Sequence, residues 1–245
     1  FIDKIGSDKL PQGANVKTVY LEDLLGGISK LELIARHLQG LLLPHALLRH
    51  SSRTHEGGKD ALATVIFSSG STGEPKGVML SHANIQSNIE SLYETFQLTG
   101  KDGVLGILPF FHSFGFTGTL WLPLLSGIKA VYHPNPMDSG TVGDLVQRER
   151  ATILMSTPTF LLGYIRKCER EQFASLRYVV VGAEKLKERI ASAFQEKFGI
   201  VPLEGYGCTE LSPVAVLNVP DVEDGKVKQV GQKLGTVGHP LPGVA

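Results

Sequence analysis

The sequence is short of several things, and each shortage narrows the class of protein it can encode. Of its 245 residues only Cys168 and Cys208 are cysteine, and no CxxC pair occurs. A reducing, cytosolic setting is the simpler expectation. Neither charge is in excess, since Lys+Arg and Asp+Glu both total 24. Nothing therefore draws the whole chain to nucleic acid or to an anionic membrane, which leaves room only for a local basic pocket. No amino-terminal signal is visible, because "FIDKIGSDKLPQG" is polar and broken by Pro11. No internal repeat is evident. Residues Gly103–Ile128 carry no Asp, Glu, Lys or Arg, a length that suits a membrane span. Pro109, Pro123, His112 and five glycines interrupt that stretch, so a strand followed by a buried helix is expected instead. Apolar content is ample: 42% hydrophobic against 20% charged supplies a core for one large domain or two smaller ones.

From Lys101 onward two patterns alternate. Short apolar runs read as buried strands at Val104–Leu108, Lys129–His133, Thr152–Ser156, Tyr178–Val181 and Ile200–Glu204. Helical periods lie between them. Val142, Leu145 and Val146 mark Thr141–Arg150, and Ile190, Phe194 and Phe198 mark Lys187–Phe198. An earlier helix is signalled by Ser81 as a cap, followed by Ile85, Ile89, Leu92 and Phe96 on one face. Repeated strand–helix units with continuously apolar strands predict an α/β fold, a mostly parallel sheet flanked by helices. Ligands then gather at the carboxyl ends of the strands. Three polar, glycine-containing turns belong at that edge: the loop after "LATVIFSS", "GAEKL" after "YVVV", and "GYGCTE" after "IVPLE". Gly6–Gly13 and Arg49–Asp60 read as surface loop, and Glu223–Gly235 as a strand-rich excursion near the carboxyl end.

The loop "FSSGSTGEPKGV" (Phe67–Val78) crowds hydroxyls, glycines and one cation between apolar residues. It is not a Walker A loop: Pro75 stands where that motif needs its second glycine, Gly77 where it needs a hydroxyl, and "VMLS" continues as strand. It offers only GxxG against the Rossmann GxGxxG. No GxSxG elbow makes a nucleophile of Ser69 or Ser71, and "HEGGK" at His55 lacks the second histidine of HExxH. What remains is a hairpin whose amides and hydroxyls can wrap phosphates while Lys76 neutralises charge. A solvated Gly/Ser hairpin has the same composition. Its position after a buried strand, and its Pro75-Lys76-Gly77 ending, favour the phosphate.

"SSGSTGEPKGV" resembles the phosphate loop of the acyl-adenylate-forming superfamily, which includes acyl-CoA synthetases, luciferases and nonribosomal adenylation domains. Further signatures follow in that family's order: "PFFHSFG" (Pro109–Gly115), "GAEKL" (Gly182–Leu186), "GYGCTE" (Gly205–Glu210) and "GTVGHPLPG" (Gly235–Gly243). Several of these stretches are particularly similar to the acyl-acyl-carrier-protein synthetase domain, often fused to a lysophospholipid acyltransferase. The resemblance implies ATP-dependent formation of an acyl-AMP from a fatty acid, with Mg²⁺, then transfer to a carrier thiol. Acyl carrier protein is the favoured acceptor and coenzyme A the alternative. It assigns Ser68, Ser69, Gly70, Ser71, Thr72, Gly73 and Lys76 to the phosphates. Gly182, Ala183 and Glu184 would line the adenine and acyl pocket. Gly205, Tyr206, Gly207 and Thr209 would hold the nucleotide, Tyr206 by stacking on adenine and Thr209 by donating to the α-phosphate. Glu210 would hold Mg²⁺, and His112 would sit beside the substrate carboxylate.

Read without the resemblance, Glu210 is a helix-start or surface acid, and His112 is a core histidine among Phe110, Phe111, Phe114 and Phe116. Those aromatics, with Trp121, would wall an acyl tunnel or simply pack. A fatty acid is ionised at neutral pH, with a pKa of about 4–5, so the expected reaction needs no general base. The expected organisation is a partial amino-terminal region over 1–60 and an ATP- and acyl-binding core over 61–245. The mobile carboxyl-terminal domain of the family is expected to lie outside this stretch, which reads as a fragment of a larger, cytoplasmic protein. Any membrane association would come through other parts of that protein. A non-catalytic nucleotide- or acyl-binding module is the competing function.

Overall fold

A computed structural model describes residues 27–44, 47, 57–68, 74–225 and 227–244. The chain divides into two compact units, Phe1–Glu56 and Gly57–Ala245. In the first, helix α1 (Lys30–Leu42) is capped by Ser29, whose Oγ accepts from the Glu32 amide at 3.1 Å. Gly6–Gly13 and most of Arg49–Asp60, expected as loop, lie outside the described residues.

The second unit is built on the expected strands. They are β3 (Gly103–Gly106), β4 (Lys129–Tyr132), β5 (Ile153–Ser156), β6 (Tyr178–Val181) and β7 (Leu203–Gly207), following the hairpin strands β1 (Leu62–Ser68) and β2 (Lys76–Ser81). Two further strands, β8 (Val214–Leu217) and β11 (His239–Pro240), complete a seven-stranded sheet in the order β11-β8-β7-β6-β5-β3-β4. The five strands β4-β3-β5-β6-β7 run parallel, and β8 and β11 are added antiparallel. All four residues of β3 and of β5 are buried, which is why these strands read as unbroken apolar runs. A short antiparallel pair, β9 (Val222–Asp224) with β10 (Val227–Gln229), forms the excursion expected near the carboxyl end.

Helix α2 (His82–Phe96) begins at Ser81 in a capping box: Ser81 Oγ accepts from the Asn84 amide, and Asn84 accepts from the Ser81 amide. Its buried face is Ile85, Asn88, Ile89, Leu92 and Phe96. The charge-free stretch after β3 folds as a helical segment over 113–126, made of α3 (Ser113–Gly115), a π-helical portion (Phe116–Trp121) and α4 (Leu122–Ser126). No helix among the described residues is long and apolar enough to cross a membrane. The two period-marked helices form as α5 (Ser139–Glu149) and α7 (Glu188–Phe198), and both bury the expected positions. Between them lies α6 (Pro158–Lys167), which the sequence reading did not single out; its signal is Pro158 at the first helical position. Phe194 and Phe198 on the buried face of α7 pack against each other and against Phe173, each ring contributing about 1.5–3 kcal/mol by leaving water.

Two expectations need correction. The strand before the glycine-rich loop is not part of the parallel sheet: β1 pairs antiparallel with β2 in a separate two-stranded sheet. The reason is in its exposure. Val65, Phe67 and Met79 line an open face while Ile66 and Leu80 are buried, so the hairpin has one wet side where parallel strands have none. The strand expected at Ile200–Glu204 starts only at Leu203 and runs to Gly207. Pro202 cannot donate to a ladder, so pairing begins after it.

One polar node ties β3 to its neighbours. Asp102, whose side chain is 1% exposed, accepts from Arg177 Nη1 at 2.6 Å and Thr152 Oγ1 at 2.8 Å. Its other oxygen accepts from the amide and hydroxyl of Thr99. Burial alone would push this carboxyl up, but the Thr99 amide, the Thr152 hydroxyl and Arg177 together hold it below its ordinary 3.8. A depressed value means that the stabilisation is complete above about pH 4 and is lost as the pH falls through the folded value. Asp102→Asn should therefore lower stability by about 1–3 kcal/mol at pH 7. It should also flatten the fall in stability below pH 4, as read by urea denaturation at pH 7 and pH 3.

Candidate active site

The carboxyl ends of β6 and β7 open onto a cavity of about 280 Å³. Its apolar floor is Val180, Val181, Phe114, Val214 and Leu217. Its polar rim comes from four separate segments: Ser68 from the end of β1, His112 and Ser113 from the start of α3, Tyr206 at the end of β7, and Thr209 and Glu210 from the 3₁₀ turn Thr209–Leu211. Gly182, Ala183, Gly205 and Gly207 supply backbone along the walls. Side chains would block part of this space. A Cβ on Gly182 would lie 3.3 Å from the Phe114 ring, and one on Gly207 would run into the Pro213 carbonyl. Ala183 stands at φ +65, a left-handed conformation that a residue with a Cβ adopts only when its surroundings hold it there.

Four sets of hydrogen bonds hold the rim. Buried Glu204 accepts from the Leu186 amide at 2.9 Å, pinning the Gly182–Leu186 turn against β7. Asn88 on α2 donates to the Val214 carbonyl at 2.7 Å and accepts from the Val214 amide, fixing the strand that returns from the Thr209 turn. His112 Nδ1 accepts from the Phe114 amide at 3.3 Å, which leaves Nε2 as the nitrogen free to carry the ring proton in neutral imidazole. Ser113 Oγ and Thr209 Oγ1 lie 3.3 Å apart. Cys208 also lines the cavity; burial and then the Glu210 carboxylate push its thiol up, so it stays protonated at neutral pH.

The structure thus gathers Ser68, His112, Gly182, Ala183, Gly205, Tyr206, Gly207, Thr209 and Glu210 around one cavity. Tyr206 lines the cavity and is 56% exposed. Lys76 is not among the lining residues, but it pairs with Ser68 across the hairpin. Alternation puts both on the face that carries buried Ile66 and Leu80. Strand β2 also lies against the Thr209–Leu211 turn. Glu184 is exposed, and its carboxylate accepts from Thr159 Oγ1 at 2.7 Å instead of facing the cavity. Ser69, Gly70, Ser71, Thr72 and Gly73 lie outside the described residues. The sequence reading missed Ser113 and the wall formed by Pro213, Val214 and Leu217. Ser113 stood next to His112 in a motif already singled out, and "PVAVL" begins at Pro213, three positions after Glu210.

Glu210 is the one carboxylate among the described residues lining the cavity. No group of three or more His, Cys, Asp or Glu gathers as a metal site among those residues. The donor set therefore fits a hard cation that takes one protein carboxylate and draws its other ligands from phosphate oxygens and water, as Mg²⁺ does.

A mainly parallel sheet with glycine-rich turns and a hydroxyl-lined cavity at its carboxyl edge has the layout of a nucleotide-binding α/β protein. The chain belongs to the AMP-binding enzyme family, which matches residues 8–245. It is 32% identical over 187 residues to the p-hydroxybenzoic acid–AMP ligase FadD22 of Mycobacterium tuberculosis, covering 76% of this chain and 25% of that protein. It is 30% identical over 163 residues to the long-chain-fatty-acid–CoA ligase of Bacillus subtilis, covering 64% and 29%. ATP-bound MatB from Rhodopseudomonas palustris superposes with a TM-score of 0.67 at 30% identity, over 77% of this chain and 36% of that one. The chain spans between 25% and 29% of the length of these two curated relatives. The fold is the adenylate-forming α/β fold, as the sequence reading expected.

The fit of Gly207 against Pro213 gives a direct check on this geometry. Gly207→Ala should displace the Pro213 carbonyl and the turn between them, at about 1–3 kcal/mol of stability. Thermal unfolding of the variant measures the loss.

Proposed function

We propose that the protein activates a carboxylic acid, a fatty acid in the first instance, by attack of its carboxylate on the α-phosphate of ATP, giving acyl-AMP and pyrophosphate. The observation that carries this reading is the meeting of Thr209, Glu210, His112 and Ser68 on one cavity with an apolar floor. In it Thr209 donates to the α-phosphate, and Glu210 is the residue that would hold Mg²⁺, which when bound neutralises phosphate charge. Lys76, with Ser68 and the adjoining loop, serves the outer phosphates. Tyr206 stacks on adenine, between the backbones at Gly182–Ala183 and Gly205–Gly207. His112 offers Nε2 to the substrate carboxylate. Because the acid arrives ionised, the site has to supply placement and charge neutralisation and no general base.

The acyl tail runs along Phe114 and the apolar floor. The relatives named for fatty-acid–CoA ligases support a fatty acid; those named for p-hydroxybenzoic acid and 4-coumarate support an aromatic acid in the same place. For the second half-reaction, the motif resemblance favours acyl carrier protein as the thiol. The CoA ligases among the relatives favour coenzyme A as the second reading.

Two measurements test the proposal. In the full-length protein, Lys76→Ala or Glu210→Ala should reduce acid-dependent ATP–pyrophosphate exchange by at least about 100-fold, the size of losing one charge-stabilising group; unchanged exchange would remove these residues from the reaction. Calorimetry with a non-hydrolysable acyl-adenylate mimic should show affinity rising from an acetyl through a dodecanoyl to a hexadecanoyl tail, by up to about 0.8 kcal/mol per buried CH₂. A preference for a benzoyl mimic over all three would replace the fatty acid by an aromatic one.

A further inference from the structure

One contact in the cavity has no part in the roles above. Ser113 is 2% exposed, and its Oγ meets Thr209 Oγ1 at 3.3 Å across 96 positions of sequence, with either oxygen able to donate. We propose that Ser113 is a positioning residue: it donates its proton to Thr209 Oγ1 and so aims the Thr209 proton into the cavity, at a phosphate oxygen. This rests on the reading of Thr209 as a phosphate donor.

The argument is one of proton counting. A hydroxyl carries one proton and two lone pairs. If Thr209 spent its proton on Ser113, its lone pairs would be left to face the cavity and repel an anionic oxygen. With Ser113 as donor the Thr209 proton is free, and a hydroxyl that accepts one hydrogen bond becomes a stronger donor of the next. Ser113 is well placed to hold its own oxygen still. It is buried, and the His112 side chain before it is locked onto the Phe114 amide after it. Little reorganisation is then left for the moment of binding. The 3.3 Å separation exceeds the usual O–H···O range of about 2.5–3.0 Å. The pair can therefore shorten when an anion polarises Thr209, as hydrogen bonds in unliganded sites do.

The test compares AMP with adenosine, which differ by the phosphate, binding to this chain and to S113A, S113C, T209V and the S113A/T209V double variant. Calorimetry reads the affinity, and the unfolding midpoint of each variant confirms that it is folded. S113A should weaken AMP by about threefold to tenfold, the worth of one neutral hydrogen bond, and leave adenosine unchanged. In the T209V background S113A should add nothing, because the hydroxyl it serves is gone. S113C, a weak donor of similar size, should fall between wild type and S113A, and it carries the comparison if S113A does not fold. Equal losses for AMP and adenosine, or full additivity with T209V, would overturn the positioning role while leaving Thr209 as a phosphate donor. If T209V binds AMP as wild type does, or if wild type binds AMP no better than adenosine, the phosphate reading of Thr209 fails and the inference fails with it.

Discussion

A strand buried on both faces has spent everything it has. Its side chains are committed to the core above and below, and its amides and carbonyls to the neighbouring strands. In this chain β3 and β5 are buried at every residue and β6 at Val179, Val180 and Val181. Polar groups able to meet a ligand can then stand only where the ladder stops. Gly182 and Ala183 follow β6, and Cys208, Thr209 and Glu210 follow β7. The cavity sits at that edge because the middle of the sheet has no unpaired backbone to give.

The rest of the second unit serves to keep that edge in register. Asp102 draws the chain before β3 toward Thr152 and Arg177, which precede β5 and β6, so three parallel strands start from one node. Glu204 and Asn88 do the same at the other end, holding the Gly182–Leu186 turn and the strand after Glu210. Each is a buried polar group whose loss would leave backbone partners unsatisfied, a penalty larger than the net worth of the bond itself. The rim groups therefore rest on the rigid ends of elements.

Much of this was legible in the residues. The cap at Ser81, the four-residue spacing of Ile190, Phe194 and Phe198, and the unbroken apolar runs of β5 and β6 are local patterns, and the structure follows them. The glycine-rich turns after β6 and β7 announced a ligand edge for the same reason. Less legible were the start of β7, which Pro202 delays, and helix α6, whose start the sequence reading passed over although Pro158 stands at its first position. The orientation of Glu184 was not legible at all. Its motif position suggested the pocket, whereas its carboxylate is held by Thr159 from a helix that precedes it by 25 residues.

By itself, then, the sequence determined the five strands of the parallel core, the helices marked by Ser81, Val142 and Ile190, that the sheet is mainly parallel, and which turns are rich in amides and hydroxyls. These follow from periodicity and side-chain chemistry over a few residues, the range on which local pattern acts. Only the tertiary structure decided that the β1–β2 hairpin stands apart from the parallel sheet while Ser68 still reaches the rim. It likewise decided that Ser113 and Thr209 touch. Those outcomes depend on strand order, with β3 and β7 brought to one sheet by β5 and β6 between them. Strand order is set by how the helices pack over both faces at once, a balance of many distant contacts that no single stretch of the chain contains.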